Sequence, residues 1–186
     1  MSGKNQKNWG TILMRMFYPD RREKSAYTID YADLYRKGYR GVIFDIDNTL
    51  VPHGAPATKE AAAFFASLRE TGFSTCLLSN NQKPRVAPFA DAVGSIYIEN
   101  AHKPSVKNYQ EACRRMGIKE EQAVFVGDQL FTDVYGAKRT GLYNILTEPI
   151  NPKEEIQIVL KRYLEHIVLF FYERDLARGR ITKKNS

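Results

Sequence analysis

Short apolar runs and amphipathic stretches alternate through the middle of the chain. The apolar runs have the length of buried strands and lie at 41–45, 73–79, 95–98, 122–127 and 142–146. Between them lie stretches whose apolar positions recur every three or four residues, at 58–70, 83–92, 104–116 and 132–139. Because strands and helices that alternate in this way form parallel sheets, the pattern predicts an α/β fold. We expect three layers, with a doubly wound, Rossmann-like parallel sheet between two layers of helices.

Residues at the ends of these stretches support the assignment. Thr58 is placed to cap the first helix, and Gly72 is placed to end it. Pro104 falls in the first turn of the third helix, which Gly117 ends. Pro88 is expected to interrupt the second helix, because proline removes a backbone hydrogen bond from a helix interior.

A long amphipathic helix is predicted after Pro152. Its broad apolar stripe consists of Ile156, Val159, Leu160, Tyr163, Leu164, Ile167, Val168 and Phe171. The basic residues that accompany the stripe are Lys161, Arg162, Arg174, Arg178 and Arg180. Such a helix can pack across the core or form a dimer seam. It can equally lie on an anionic membrane, with its stripe at the acyl boundary, and the sequence leaves both interpretations open.

Charge divides the chain into three parts. Residues 1–40 carry nine Lys or Arg against four Asp or Glu, and residues 151–186 carry eight against five. Residues 41–150 carry eleven against twelve, although the whole chain has a net charge of +7. We therefore expect a near-neutral core at 41–150 between a basic N-terminal extension and a C-terminal basic helix and tail. Basic arms favour an anionic partner such as a membrane surface, a nucleic acid or a charged substrate, and solvated arms are the plain alternative.

Composition narrows the class of protein. A chain of 186 residues, 43% hydrophobic and 26% charged, suits one globular domain with terminal extensions. Two cysteines, Cys76 and Cys113, support neither a disulfide framework nor a cysteine metal site, and both are expected to be buried as small apolar side chains. No apolar run reaches the length of a membrane span, and the polar start lacks the apolar run of a secretory signal. We expect a cytoplasmic protein.

Two carboxylates, Asp45 and Asp47, lie at the carboxyl end of the first predicted strand. Because side chains alternate along an extended chain, both point the same way at the carboxyl end of the sheet, where α/β folds build their sites. A divalent metal with oxygen ligands would supply the counter-charge that two close carboxylates need. One carboxylate could then act as a nucleophile while the other moves a proton. A polar turn is the alternative.

Polar residues also follow other predicted strands. Ser79 and Asn80 lie at the end of the second strand, Lys103 precedes a helix, and Asp128 and Asp133 follow the fourth strand. Each alone is typical of a turn or a helix start. Together they place hydrogen-bond donors, a cation and metal-binding carboxylates at one edge of the sheet. With the two aspartates of the first strand, they form the set that phosphoryl transfer requires.

The order and types of these residues resemble the haloacid dehalogenase-like superfamily of phosphatases. The match consists of Asp45-x-Asp47-x-Thr49, then Ser79, then Lys103, then Gly127-Asp128 with Asp133. Longer segments narrow the resemblance to the small bacterial subfamily IIIA phosphatases called YqeG, which are similar to the mitochondrial phosphatidylglycerophosphatase. These segments read Phe-Asp-Ile-Asp-Asn-Thr-Leu-Val, Leu-Ser-Asn-Asn, His-Lys-Pro and Val-Gly-Asp-Gln-Leu-Phe-Thr-Asp-Val.

The resemblance implies roles for individual residues. Asp45 would attack phosphorus and become an aspartyl-phosphate. Asp47 would protonate the leaving oxygen and then accept a proton from the attacking water. Ser79 and the backbone amide of Asn80 would bind the phosphoryl group, and Lys103 would neutralise its charge and keep the nucleophile ionised.

The resemblance also implies a magnesium ion. Its ligands would be Asp45, the backbone carbonyl of Asp47 and Asp128, with Asp133 either a ligand or a partner of a ligand. His53 follows the first motif but has no assigned role.

The expected reaction is hydrolysis of a phosphate monoester. Retention of Asp47 as an acid favours a phosphatase over a dehalogenase. Only 33 residues separate Asp45 from Ser79, and 23 separate Ser79 from Lys103, which leaves little room for a large cap domain. An open site suits a substrate that cannot be engulfed. Combined with the basic C-terminal helix, the resemblance to the mitochondrial phosphatidylglycerophosphatase implies a lipid phosphate such as phosphatidylglycerophosphate, handled by a protein peripheral to the inner face of the membrane.

Other substrates and functions remain as alternatives. Nucleotides, nucleic-acid ends, phosphoproteins and small soluble esters could use the same active site, and a nucleic-acid enzyme would bind in a strongly salt-dependent manner. A binding protein without activity would have no use for the full catalytic set.

Overall fold

A computed structural model describes residues 14–151 and 156–182, with side chains in the last helix described from residue 163 onward. Its centre is a six-stranded sheet in which every neighbouring pair is parallel. The strands are β1 (Arg21–Glu23), β2 (Gly41–Phe44), β3 (Ser74–Leu78), β4 (Ile96–Ile98), β5 (Ala123–Gly127) and β6 (Tyr143–Thr147). Their order in the sheet is β1-β6-β5-β2-β3-β4. The chain therefore winds one way from β2 to β4 and the other way from β5 to β6, which places the topological switch point between β2 and β5.

Helices cover both faces of this sheet. They are α1 (Tyr31–Arg36), α2 (Lys59–Thr71), α3 (Lys83–Val93), α4 (Val106–Met116), α5 (Tyr135–Thr140) and α6 (Ile156–Ala177). One core joins α1, α2 and α3 to the face of the sheet that carries Val42 and Phe44. A second core joins α4 and α5 to the opposite face, which carries Ile43 and Phe125. Because side chains alternate along each strand, both faces of β2 are buried, and the predicted three-layer α/β architecture is confirmed.

The predicted cap at Thr58 and the predicted helix ends at Gly72 and Gly117 are confirmed. The Thr58 side chain accepts a hydrogen bond from the backbone N–H of Ala61, and Gly72 ends α2 with a φ of 103°. This left-handed conformation favours glycine because it lacks a Cβ atom. Gly117 ends α4 in the same way, with a φ of 69°. The cysteines Cys76 and Cys113 are buried free thiols, as expected.

Two proline predictions were wrong. Pro88 lies inside α3, which continues from Lys83 to Val93, and burial of Val86 and Phe89 on either side holds the helix against the core. Pro104 precedes α4 instead of lying in its first turn, because Ser105 is the N-cap and the helix starts at the next residue.

The segment after β5 also differs from the prediction of one helix at 132–139. A π-helical turn, Leu130–Val134, comes first and runs into α5. Such turns are rare and concentrate at functional sites. This one carries Asp133, which is completely buried.

Residues 21–36 add to the core in a way that the sequence pattern did not predict. β1 pairs with β6 at the edge of the sheet, and α1 buries Tyr31 and Leu34. Asp20 links this segment to β6. Its carboxylate accepts hydrogen bonds from the backbone N–H of Asn144 at 3.2 Å and from the side-chain amide of Asn144 at 2.7 Å. Both residues are buried, so these bonds are shielded from water.

The predicted C-terminal helix is present as α6, and it packs on the core through one face. Val168 and Tyr172 are buried against Tyr18, Leu130 and Leu146. The part of the predicted stripe before residue 163 lies outside the side chains described. Among the helices that the structure describes, none combines the length and apolar character needed to cross a membrane.

Candidate active site

The carboxyl ends of β2 and β5 place two aspartates side by side at the switch point. Asp45 follows β2 and donates its backbone N–H to the carbonyl of Val126 on β5, at 3.0 Å. Asp128 follows β5 and is 2% exposed. The buried Thr49 hydroxyl lies 3.5 Å from Asp45 Oδ2 and 3.3 Å from Asp128 Oδ1, so it connects the loops after the two strands.

Lys103 binds two of the predicted carboxylates at once. Its Nζ atom lies 2.5 Å from Asp45 Oδ1 and 2.7 Å from Asp133 Oδ1. The three side chains are 4%, 10% and 1% exposed, respectively. Because little water reaches them, the attraction between these charges is much stronger than at the protein surface. The site therefore contains a fixed cation where a phosphoryl group would need one.

The same burial changes the protonation chemistry of the pair. Burial raises the pKa of the Asp45 carboxyl to about 6; the positive charge of Lys103 opposes this shift, and the negative charge of Asp133 adds to it. Burial alone would lower the pKa of Lys103, but the Asp133 and Asp45 carboxylates raise it above its ordinary value. Lys103 therefore stays charged and favours the ionised, nucleophilic form of Asp45.

Three carboxylates form a group that suits a divalent metal. Oxygen atoms of Asp45, Asp128 and Asp133 all lie within 4.8 Å of one another, and all three residues are buried. One lysine cannot balance three carboxylates, so a divalent cation would complete the charge balance. Oxygen ligands of this type match the preference of Mg²⁺. The Asp47 carboxylate is not part of this group, which leaves its backbone carbonyl as the predicted metal contact.

Asp47 is held by a separate set of donors. Its Oδ1 atom accepts hydrogen bonds from the Gly54 backbone N–H at 2.7 Å and from Arg85 Nη2 at 2.9 Å. Its Oδ2 atom accepts one from Asn81 Nδ2 at 2.7 Å. The Asp47 carboxylate is thus fixed in position near Asp45 by donors from two loops and the first turn of α3. His53, which precedes Gly54, is exposed.

Asn81 and Arg85 were not predicted as site residues. Both come shortly after Ser79, but an amide and an arginine in the turn that starts a helix are common on any protein surface. Their contact with Asp47 spans more than thirty residues of sequence, so only the folded chain reveals it.

Ser79 and Asn80 lie at the predicted edge of the sheet. The buried Ser79 hydroxyl oxygen accepts a hydrogen bond from the Asn81 backbone N–H at 3.1 Å. Asn80 Oδ1 accepts one from the Lys103 backbone N–H at 2.7 Å, so the side chain of Asn80 positions the lysine. The structure thus brings Asp45, Asp47, Ser79, Asn80, Lys103, Asp128 and Asp133 to one edge of the sheet.

A cavity of about 740 Å³ adjoins this edge beside Asp128. Its walls come from the loop after β6, from β1 and from α6, and they include Arg22, Thr147, His166 and Leu169. These residues are far apart in sequence, and the sequence pattern gave no sign of the cavity.

Comparison with known proteins is consistent with this geometry. The family model of haloacid dehalogenase-like hydrolases matches residues 54–141. A protein of Bacillus subtilis described as "probable phosphatase YqeG" is 34% identical over 88% of this chain and 95% of its own length. The phosphatidylglycerophosphate phosphatase 1 of Arabidopsis thaliana is 29% identical over 84% of this chain, which spans 47% of that plant protein.

One crystal structure resembles the fold without close sequence similarity. It is 16% identical to this chain, and the match has a TM-score of 0.51 over 73% of this chain and 85% of the other. At this identity the likeness concerns the fold alone.

Proposed function

The chain belongs to the haloacid dehalogenase-like hydrolases, as a phosphatase of that family, and on this premise we propose that it hydrolyses the phosphate monoester of phosphatidylglycerophosphate with the help of Mg²⁺. The observation that carries the catalytic part is the contact of Lys103 with both Asp45 and Asp133 beside Asp128. The lipid part is supported by the similarity to the plant enzyme and by the short connections after β2 and β3, which have no room for a cap domain.

In the first step, a carboxylate oxygen of Asp45 forms a bond to phosphorus as the bond between phosphorus and the ester oxygen breaks. The electron pair of the broken bond stays on the leaving oxygen, which takes a proton from Asp47. Lys103 contacts Asp45 Oδ1, whereas the Thr49 hydroxyl lies 3.5 Å from Oδ2, so we assign the attack to the less tightly bound Oδ2. The ion pair with Arg85 and the amide of Asn81 hold Asp47 in one orientation for this proton transfer.

In the second step, a water molecule attacks phosphorus and gives a proton to Asp47. The bond between phosphorus and Asp45 breaks, which releases inorganic phosphate and regenerates the carboxylate. Mg²⁺ held by Asp45, Asp128, Asp133 and the backbone carbonyl of Asp47 would supply positive charge against the carboxylates and the phosphate. Ser79 and the backbone amide of Asn80 would bind phosphate oxygens.

Access to the site suits a bulky substrate. Fourteen residues connect β2 to α2 and four connect β3 to α3, so neither connection has room for a cap domain. Cap domains enclose small substrates, whereas a phospholipid carries acyl chains that extend away from its headgroup. The approach to Asp45 is therefore compatible with a lipid headgroup presented from a surface.

The test measures phosphate release from phosphatidylglycerophosphate in mixed micelles with Mg²⁺, next to a soluble sugar phosphate. Asp45→Asn removes the nucleophile, and Asp91→Asn is the matched control because Asp91 is exposed on α3. We expect preferential turnover of the lipid that Asp45→Asn abolishes and Asp91→Asn retains. Turnover of the soluble ester alone would keep the chemistry but reject the lipid substrate.

A further inference from the structure

Helix α6 has a buried face that fixes it on the core. This face consists of four buried side chains, Glu165, Val168, Tyr172 and Asp175. Glu165 Oε1 accepts a hydrogen bond from the backbone N–H of Leu130 at 2.7 Å. Polar and apolar contacts together therefore determine which side of the helix faces outward.

The outward side carries an unusual concentration of apolar side chains. Tyr163 is 67% exposed, Leu164 48%, Ile167 40% and Phe170 66%. They are four of the seven large apolar side chains that are strongly exposed in the described residues. Contiguous exposed apolar surface of this kind marks an interaction site more often than scattered single residues do.

The same side of the helix continues into positive charge. The spacing of three or four residues that joins Tyr163, Ile167 and Phe170 leads on to Arg174 and Arg178. We call the six residues Tyr163, Leu164, Ile167, Phe170, Arg174 and Arg178 the outer face of α6.

None of the acidic residues on the described part of α6 belongs to the outer face, although Asp175 Oδ1 lies 3.9 Å from Arg174 Nη2 and pairs with it from the buried side. Glu173 lies to one side and forms an ion pair with Arg22 at 2.6 Å. Asp175 and Glu165 are on the buried side. An apolar stripe that ends in arginines and contains no carboxylate is complementary to an anionic lipid surface, which offers acyl chains below a layer of negative charge.

The outer face lies beside the entrance to the catalytic edge. His166 and Leu169 of the same helix line the cavity that reaches Asp128. The other charged residues that line it are Arg22, Glu23, Lys24, Glu148 and Glu165, so the cavity carries both signs of charge. A surface bound at the outer face would therefore lie next to this cavity.

We propose that the outer face of α6 docks the enzyme on an anionic phospholipid bilayer and presents the cavity beside Asp128 to the headgroup layer. The inference rests on the proposed lipid substrate. Tyr163 and Phe170 lie in the interface with Ile167 and Leu164, and Arg174 and Arg178 contact the anionic headgroups. Docking then places the substrate where the site can reach it, without a cap domain.

The test is co-sedimentation with phosphatidylcholine vesicles that contain or lack phosphatidylglycerol. The wild-type protein should bind only the anionic vesicles, and binding should fall as salt is raised. Ile167→Ser with Phe170→Ser should weaken partitioning at least about tenfold, because two exposed apolar side chains no longer enter the interface. Arg174→Gln with Arg178→Gln should weaken it on the order of 30-fold and remove most of the salt dependence.

Ile96→Ser provides the matched control. Ile96 is 40% exposed, the same as Ile167, but it lies on β4 at the edge of the sheet opposite to β1. This variant should bind vesicles like the wild type. Circular dichroism and thermal unfolding check that all variants are folded.

Three outcomes would overturn the inference. The first is no retention of the wild type by anionic vesicles, and the second is equal loss in the Ile96→Ser control. The third is a wild-type dimer in light scattering that becomes a monomer in the Ile167→Ser, Phe170→Ser variant, because a second copy would then cover the face. Hydrolysis of phosphatidylglycerophosphate in detergent micelles tests the substrate without a bilayer, so failure of the proposed function is seen separately.

Discussion

Replacing Lys103 with methionine removes the cation that joins two buried carboxylates while keeping a side chain of similar length. In the wild type, Nζ lies 2.5 Å from Asp45 and 2.7 Å from Asp133, and the lysine side chain is 4% exposed. Breaking a buried ion pair by removing one partner costs about 3–5 kcal/mol, because the remaining charge stays buried without compensation. We expect Lys103→Met to lower the free energy of unfolding by this amount in metal-free buffer.

Urea unfolding followed by circular dichroism measures the effect. With a slope of about 2 kcal/mol/M, the expected loss moves the midpoint down by about 1.5–2.5 M. Lys107→Met is the matched control, since Lys107 is an exposed lysine on the same chain segment. Its midpoint should stay close to that of the wild type.

The pH and the Mg²⁺ concentration should both change the loss of stability in Lys103→Met if the loss is caused by the missing positive charge. Burial already raises the folded-state pKa of Asp45 to about 6, and removal of the lysine raises it further above its unfolded value. The folded state then binds more protons than the unfolded state, so stability falls as pH rises. The loss in the free energy of unfolding caused by Lys103→Met should therefore be larger at pH 8 than at pH 5. Mg²⁺ should increase the free energy of unfolding of this variant more than that of the wild type.

If Lys103→Met is as stable as Lys107→Met at pH 8 without metal, then Lys103 does not stabilise the two buried carboxylates. A deficit that did not change with pH or Mg²⁺ would instead indicate a packing defect at Lys103.

Three further results are expected. Arg85→Gln removes the ion pair with Asp47 and should lower kcat about 10- to 100-fold with little change in KM, because a misplaced proton donor slows the chemical step. An unchanged kcat would exclude this positioning role of Arg85. Asp128→Asn should raise the Mg²⁺ concentration that gives half-maximal activity at least about tenfold. An unchanged Mg²⁺ concentration for half-maximal activity would show that Asp128 is not a metal ligand. Asp20→Ala removes the carboxylate that accepts two hydrogen bonds from Asn144 and should lower the free energy of unfolding, measured by urea unfolding, by about 2–3 kcal/mol. A loss of less than about 0.5 kcal/mol would show that the segment around Asp20 contributes little to the stability of the fold.

Local pattern was sufficient for the fold class and for the position of most predicted site residues at one edge of the sheet. The alternation of strand and helix periods determined the parallel α/β sheet, because each period reports which side of a contiguous element is buried. The position of Asp45, Lys103 and Asp128 at strand ends or before a helix followed from the same layout. Thr58 and Gly72 were identified correctly because capping depends on neighbouring backbone groups alone.

Elements with little burial of their own escaped prediction. β1 reads Arg-Arg-Glu and shows no apolar run, since a short edge strand is stabilised by pairing with β6 and not by its own side chains. The interruption expected at Pro88 did not occur, because tertiary packing of α3 outweighs one lost backbone hydrogen bond.

Contacts between distant residues were decided by the tertiary structure. The sequence predicted that Asp45, Asp47 and Lys103 lie at one edge of the sheet, but it did not predict that Lys103 pairs with Asp133 or that Arg85 pairs with Asp47. The side of α6 that faces outward and the cavity beside it likewise depend on how the helix docks against the sheet. The physical reason is that periodicity and capping are properties of a few consecutive residues, whereas an ion pair or a cavity wall requires segments that meet only after the chain has folded.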